Sequence, residues 1–289
     1  LKPSVDISNS QLFIAGCSVL LGFESCIITA VPPSPLSLLL LFAGTLFIYN
    51  TSRILITFNK LTGQTDSFKV TIDGRKLNIG LAVGAAILLF FMLTRLNTVG
   101  LLLFAVTGLA SIGYMMPFKI DGSRIKGFRN NLIIKNILLS WIWSAATVYL
   151  PLSHEIHLIP PETLVLIGFR RFFFIYALTN IYDLKDIETD NKSGFRTIAG
   201  ALGTRGTKAL SMLSLVCFSA LTFWAAPEET TGITAGLLTS AVITGWVLLM
   251  AHPKKSRSYY IYWVDGTMAL QALIVFLFNT IGQLSLFPK

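Results

Sequence analysis

Long apolar blocks of similar length follow one another along this chain, separated by short polar breaks. Nine of them approach the ~20 residues that a helix needs to cross a hydrocarbon layer. They run from Leu12 to Thr29, Leu36 to Phe58, Leu77 to Leu93, Val99 to Met116 and Leu132 to Leu150. The others run from Leu164 to Tyr182, Ala209 to Ala226, Ile233 to Ala251 and Tyr259 to Phe287. Lipid offers the backbone no hydrogen-bond partner, so only helices and closed barrels span it, and blocks of this length select helices. The pattern predicts an all-α integral membrane protein with nine transmembrane helices. It forms a single domain over residues 1–289, with no linker or low-complexity stretch.

Composition sharpens this reading. Hydrophobic residues make up 53% of the 289 positions and charged residues 13%, about half the charged share of a soluble domain. No basic segment precedes the first apolar block, so no cleavable signal peptide is expected. Cys17, Cys26 and Cys217 all fall within predicted spans. Three thiols without metal-like spacing argue against a disulfide framework and a zinc site, and they read as small packing residues.

The net charge of +9 is unevenly placed. Lys60, Lys69, Arg75, Lys76, Lys119, Arg124, Lys126, Arg129, Lys185, Lys192, Arg196, Arg205, Lys208, Lys254, Lys255 and Arg257 follow the second, fourth, sixth and eighth blocks. The opposite loops hold only Arg95. This asymmetry predicts a multi-pass protein whose amino terminus and even-numbered loops are cytoplasmic. The excess charge is thus topological and gives no reason to invoke nucleic acid. It would also draw anionic substrates or lipid headgroups to that face.

The polar chemistry gathers on the same face. In Asn180-Ile-Tyr-Asp183-Leu-Lys-Asp186-Ile-Glu-Thr-Asp190, spacings of three and four place Asp183, Asp186 and Asp190 within about a 60° arc of one helix face. Three such anions repel unless a cation sits among them. Oxygen ligands that leave room for water and phosphate suit Mg2+, and Lys192, Arg196 and Arg205 follow as phosphate partners. The plainer alternative is a solvated acidic helix end. A weak internal repeat relates Ile48-Tyr49-Asn50-Thr-Ser-Arg53 to Ile181-Tyr182-Asp183-Leu-Lys-Asp186, four helices apart. Paired halves that bring polar residues to one cavity are common in membrane proteins.

These residues resemble the UbiA superfamily of intramembrane prenyltransferases. Nine helices with charged loops after helices 2, 4 and 6 match its architecture, a bundle around a central cavity. Asp183-Leu-Lys-Asp186-Ile-Glu-Thr-Asp190-Asn-Lys-Ser-Gly194-Phe-Arg196-Thr is similar to its second aspartate-rich motif and the Gly-x-Arg/Lys-Thr beyond it. Gly113-Tyr114-Met-Met-Pro117-Phe-Lys119, with Asn136 downstream, is similar to its helix-4 exit, and Tyr259 to Gly266 to its last helix.

The resemblance implies transfer of a prenyl group from a polyprenyl diphosphate to an aromatic, quinone-like or other lipophilic acceptor, with Mg2+ assisting departure of diphosphate. It makes Asp183, Asp186 and Asp190 the metal ligands. Lys119, Lys192 and Arg196 become diphosphate contacts, and Tyr114, Asn180 and Asn50 line the cavity. Such chemistry needs a stabilised leaving anion and a water-poor pocket whose aromatic faces tolerate a carbocation. An intramembrane terpene cyclase would use the same parts and remains open.

The first aspartate-rich motif departs from the pattern. Asn50 is present, but Ile54 and Phe58 stand where Asn-x-x-x-Asp-x-x-x-Asp would place its carboxylates. Asp66 and Asp73 lie farther on at the wrong spacing. Three readings of the neighbouring Arg53 are open. It replaces a metal with a fixed guanidinium that grips phosphate, pairs with Asp186 in a site that no longer catalyses, or snorkels to the headgroups. The missing carboxylates therefore keep a non-catalytic binding or assembly protein in view. A transporter fits less well, because the acids cluster at one surface instead of lining a path.

Other polar residues carry weaker signals. Glu24 lies within helix 1, where an acid is costly, and a structural hydrogen-bond role suits it. Arg170 and Arg171 would snorkel or pair with Glu162 or Glu155. His154 and His157 read as surface residues, Lys135 as a boundary or cavity cation, and Asp265 as an orienting group in helix 9. Phe172, Phe173, Phe174, Trp141, Trp143 and Trp263 are explained by packing and interface belts or by a carbocation pocket.

Overall fold

The computed structural model describes residues 7–61, 72–115, 134–187, 197–226 and 229–285. Within them every apolar block is a helix. The first four are α1 (Ile7–Ile28), α2 (Pro35–Leu61), α3 (Ile72–Leu93) and α4 (Thr98–Met115). Helix α5 (Ile134–Ser144) continues through a π-helical turn (Ala145–Tyr149) into a final turn (Leu150–Leu152). Helix α6 (Pro161–Tyr182) tightens into a 3₁₀ turn (Asp183–Asp186), and α7 (Ile198–Ala225) and α8 (Thr231–Met250) follow. A second π-helical turn (Tyr259–Val264) leads into α9 (Gly266–Ser285). Among the described residues eight helical stretches are long and apolar enough to cross a membrane, and the shorter α5 with its π turn occupies the fifth apolar block.

Local chemistry sets several boundaries. Pro161 opens α6 where its missing N–H costs nothing. Thr197 caps α7 by accepting the Gly200 N–H at 3.1 Å, and Thr230 caps α8 through Ile233 N–H at 3.4 Å. Gly203 breaks α7 at φ 65°, ψ 179°, a left-handed conformation that glycine alone adopts readily. The first turns of α7 are thereby offset from the long span that follows.

Consecutive helices pack as neighbours: α1 on α2, α2 on α3, α5 on α6, α6 on α7, α7 on α8 and α8 on α9. Helix α9 returns against α1, and α4 lies against α2 and α5. Helix α1 consequently runs through the interior, with Ala15, Cys17, Leu21 and Cys26 buried. The largest core cluster joins it to Phe174 of α6, Phe218 of α7, Leu237 of α8 and Tyr260 before α9.

Helices α8 and α9 approach most closely at two glycines. A Cβ on Gly232 would lie 2.5 Å from the Phe278 carbonyl oxygen, and one on Gly236 would lie 2.9 Å from Val275 Cα. Small residues four apart allow such backbone contact, which in lipid supplies packing that the hydrophobic effect cannot. The outer surface is strongly apolar: Phe90, Leu102, Val106, Val242 and Trp246 are exposed, and Trp224 is 82% exposed. Patches of this kind belong against acyl chains.

Two buried ion pairs tie the end of the bundle where α1 finishes and α6 begins. Arg170 grips Glu229 bidentately at 2.6 and 3.0 Å. Arg171 reaches Glu24 at 3.3 Å, Ser25 Oγ at 3.3 Å and the Leu21 carbonyl at 3.2 Å. This corrects the expectation of Glu162 or Glu155 as partners. Those acids are near in sequence, but packing of α6 on α1 and α7 brings Glu24 and Glu229 closer. Glu24 thus has the structural role expected for it.

Candidate functional site

The opposite end of α6 holds the polar cluster. Asn180 and Asp183, one turn apart, present their side chains to the first turn of α5. Asn136 there donates to Asn180 Oδ1 and to Asp183 Oδ2, each at 2.9 Å. Its neighbour Lys135 meets Asp183 Oδ1 at 2.5 Å. Asp183 is therefore buried with both oxygens engaged, a requirement for keeping a carboxylate charged away from water.

Asp186 differs. Its side chain is 54% exposed and its ion pair with Lys185 is long, at 3.4 Å. The Lys185 ammonium also sits 4.3 Å over the Tyr182 ring. The spacing argument expected Asp183 and Asp186 to act as one set, whereas the folded chain gives them different partners. Among the described residues no three His, Cys, Asp or Glu side chains form a metal-holding group. Asp190, Lys192, Arg196 and Lys119 lie outside the described residues.

Buried amides deepen the cluster. Asn50 of α2, Asn136 and Asn180 are fully buried. Asn50 donates to the Leu46 carbonyl at 2.7 Å. Among the described residues Asn50 Oδ1 and Asn136 Oδ1 have no hydrogen-bond partner, while the Asn180 amide lies beside the Tyr176 hydroxyl. Buried polar atoms are normally satisfied, so these two amide oxygens are open to a polar ligand or water.

An aromatic layer adjoins it. Tyr49, one residue before Asn50, lies beside Trp143 and within electrostatic reach of Tyr114, Asp265 and Cys17. Asp265 follows the π turn that opens α9 and is coupled to Lys185, and its carbonyl accepts the Cys17 thiol at 3.8 Å. Tyr182 and Tyr260 meet edge to face with centroids 5.8 Å apart. A π turn inserts one residue and often marks a functional position in a helix. Here it sets the register that brings Asp265 to this layer.

Arg53, one turn beyond Asn50, lies within electrostatic reach of Arg257 and Tyr182. Of the expected set, the structure joins Asn180 to Asp183 through Asn136 and sets Arg53 and Asp186 within electrostatic reach of Tyr182; Tyr114 lies near Tyr49, and Asn50 bonds within its own helix. It adds Tyr49, Lys185 and Arg257, and gives partners to Lys135, Asn136 and Asp265, which the sequence offered as a boundary or cavity cation, a motif neighbour and an orienting group. Lys135 carried a usable signal, since it is a cation one position before an asparagine near the acidic stretch. Arg257 carried none beyond its charge.

His154 and His157 lie at the other end. His154 lines a concavity of about 320 Å³ with Val31, Pro32, Leu36, Pro151 and Glu155, and His157 is exposed. That concavity shares no residue with the cluster.

Comparison with solved structures places this architecture. A UbiA homologue from Archaeoglobus fulgidus bound to GPP and Mg2+ superposes with a TM-score of 0.65 at 14% identity, over 94% of this chain and 96% of that one. A UbiA homologue from Aeropyrum pernix K1 gives 0.56 at 15% identity, over 94% and 97%. A digeranylgeranylglyceryl phosphate synthase gives 0.58 at 12% identity, over 96% and 98%. The chain has the UbiA fold along essentially its whole length, as the sequence motifs implied. No family model matches the sequence, and no curated protein matches it either.

Proposed function

We propose that this protein is a UbiA-type intramembrane transferase that moves a prenyl group from an isoprenoid diphosphate to a lipophilic acceptor, with Mg2+. The observation that carries the reading is the polar end of α6. One carboxylate, Asp183, is fixed by Lys135 and Asn136, while Asp186 stays exposed beside Lys185. Neighbours with this fold are described as bound to GPP and Mg2+ or to DMAPP and Mg2+.

An exposed carboxylate with one long ion pair fits a hard cation that keeps oxygen ligands from water and phosphate. Asp186 would hold Mg2+ together with Asp190, four residues on, and the ion would supply charge stabilisation to the departing diphosphate. Asp183 completes the acidic set. In this structure its oxygens hold Lys135 and Asn136 in place, which fixes α5 against α6.

The remaining residues divide the other tasks. Lys119, Lys192 and Arg196 would contact diphosphate oxygens. The buried amides of Asn50 and Asn180 would orient the substrate head. Tyr49, Tyr114, Trp143 and Tyr182 offer aromatic faces to the allylic cation and exclude water from it. The site would face the cytoplasm, in keeping with the lysine and arginine asymmetry of the loops.

Incubating purified protein with geranyl, farnesyl and geranylgeranyl diphosphates, Mg2+ and a membrane lipid extract tests this, with products read by mass spectrometry. A prenylated acceptor is expected. A cyclised hydrocarbon would indicate an intramembrane cyclase using the same cluster. Absence of any product would favour the second reading, a binding or assembly protein, for which Ile54 and Phe58 in place of carboxylates speak.

A further inference from the structure

At the end of the bundle away from the acidic stretch, the turn between α1 and α2 faces the turn that closes α5. Between them lies the concavity of about 320 Å³, at the lower bound of ligand sites. Val31, Pro32, Leu36 and Pro151 give it apolar walls, and Ser34, His154 and Glu155 supply its polar groups. Both turns are fixed. Ala30 ends α1 at φ 53°, a left-handed position where glycine is usual, and the Val31 N–H donates to the Cys26 carbonyl at 3.0 Å. On the facing turn Asn97 donates to the Ser153 carbonyl at 2.9 Å, and the Glu155 N–H donates to the Leu152 carbonyl at 3.0 Å.

The polar groups suit a cation that carries N–H donors. Arg170 and Arg171 at this end are paired with Glu229 and Glu24. Half-buried Glu155 belongs to none of the ion pairs among the described residues. His154 Nε2 is buried and has no hydrogen-bond partner among them. Ser34 Oγ accepts the Ser37 N–H at a long 3.5 Å, which leaves it room for a second donor. A carboxylate, a neutral imidazole nitrogen and a hydroxyl oxygen all accept hydrogen bonds, and a primary ammonium offers three donors and no acceptor.

The bilayer supplies such a group at this depth. The concavity touches the first turn of α2, whose apolar span begins at Pro35. Leu39, one turn farther along, is 44% exposed, and Leu158, beyond Glu155, is 68% exposed. A lipid with its headgroup in the concavity would thus find apolar surface beside it for its chains. The first-turn N–H groups of α2 favour an anion, which suits the phosphate joined to the ammonium in a phosphoethanolamine headgroup.

We propose that this concavity binds the headgroup of a phosphatidylethanolamine from the adjoining leaflet, its ammonium held by Glu155, His154 and Ser34. The bound lipid ties the α1–α2 turn to the end of α5. A choline headgroup lacks the N–H donors and a glycerol headgroup lacks the positive charge, so both bind less well.

Native mass spectrometry of the delipidated full-length protein, given dioleoyl phosphatidylethanolamine, phosphatidylcholine or phosphatidylglycerol at equal concentration, tests this. Wild type is expected to retain phosphatidylethanolamine roughly tenfold more tightly than either of the others. Glu155→Gln should abolish that preference, and His154→Ala should reduce it severalfold. Unfolding midpoints report on folding, and if Glu155→Gln does not fold, His154→Ala decides. Equal retention of the three lipids by wild type, or a preference that survives in a folded Glu155→Gln, overturns the site. Water-soluble O-phosphoethanolamine run in parallel identifies the source. If it binds with the same dependence on Glu155 while the lipid is not retained, the concavity takes a soluble amine and the lipid assignment falls.

Discussion

Lys135 of α5 and Asp183 of α6 meet at 2.5 Å across the interface between their helices. Their side chains are only 19% and 7% exposed, so each neutralises the other where water is scarce. One member of the acidic stretch is thereby tied to the scaffold, and the exposed Asp186 is left as the carboxylate most open to a ligand.

This division predicts opposite responses to two similar substitutions. Lys135→Met should destabilise the protein by roughly 2 kcal/mol, because it leaves Asp183 with one fewer charge-assisted partner. Asp186→Asn should leave the unfolding midpoint near wild type and act on ligand binding alone. Thermal unfolding in detergent checks both.

The paired charges at the other end of the bundle give a second prediction. Arg171→Met leaves Glu24 buried without its partner and should cost about 3–5 kcal/mol. Adding Glu24→Gln to that variant should recover part of the loss, because both charges are then gone. A double-mutant cycle read by unfolding midpoints measures the coupling.

Close packing of α8 on α9 gives a third. Gly236→Leu puts a side chain where Val275 Cα would lie 2.9 Å from its Cβ, and overpacking of this kind costs about 1–3 kcal/mol or more. Gly84→Leu on α3, where nothing lies within 4 Å of a Cβ, should be tolerated. Yield and unfolding midpoint of the two variants in the same detergent separate them.

What the sequence made legible follows the range of the forces involved. Nine apolar blocks could be read because spanning lipid demands about 20 apolar residues regardless of their partners. The π turn of α5 and the break at Gly203 could not, since both depend on how neighbouring helices meet. In the site, Asp183, Asp186 and Asn180 were visible as a local spacing. Lys135 was not assigned to Asp183, 48 positions away, and Arg171 was not assigned to Glu24, 147 positions away. Each of those lysines and arginines could snorkel equally well when seen alone, and only the fold selects the partner. The same holds for Arg257, whose place near Arg53 depends on α8 and α9 closing against α6.

Diphosphate release from geranyl, farnesyl or geranylgeranyl diphosphate, measured with Mg2+ and with EDTA on wild type and Asp186→Asn in the presence of lipid extract, tests the central claim most directly. The account predicts release by wild type that requires Mg2+ and is lost in Asp186→Asn while the fold persists. No release from any of the three substrates, together with no Mg2+-dependent binding of them, would contradict it.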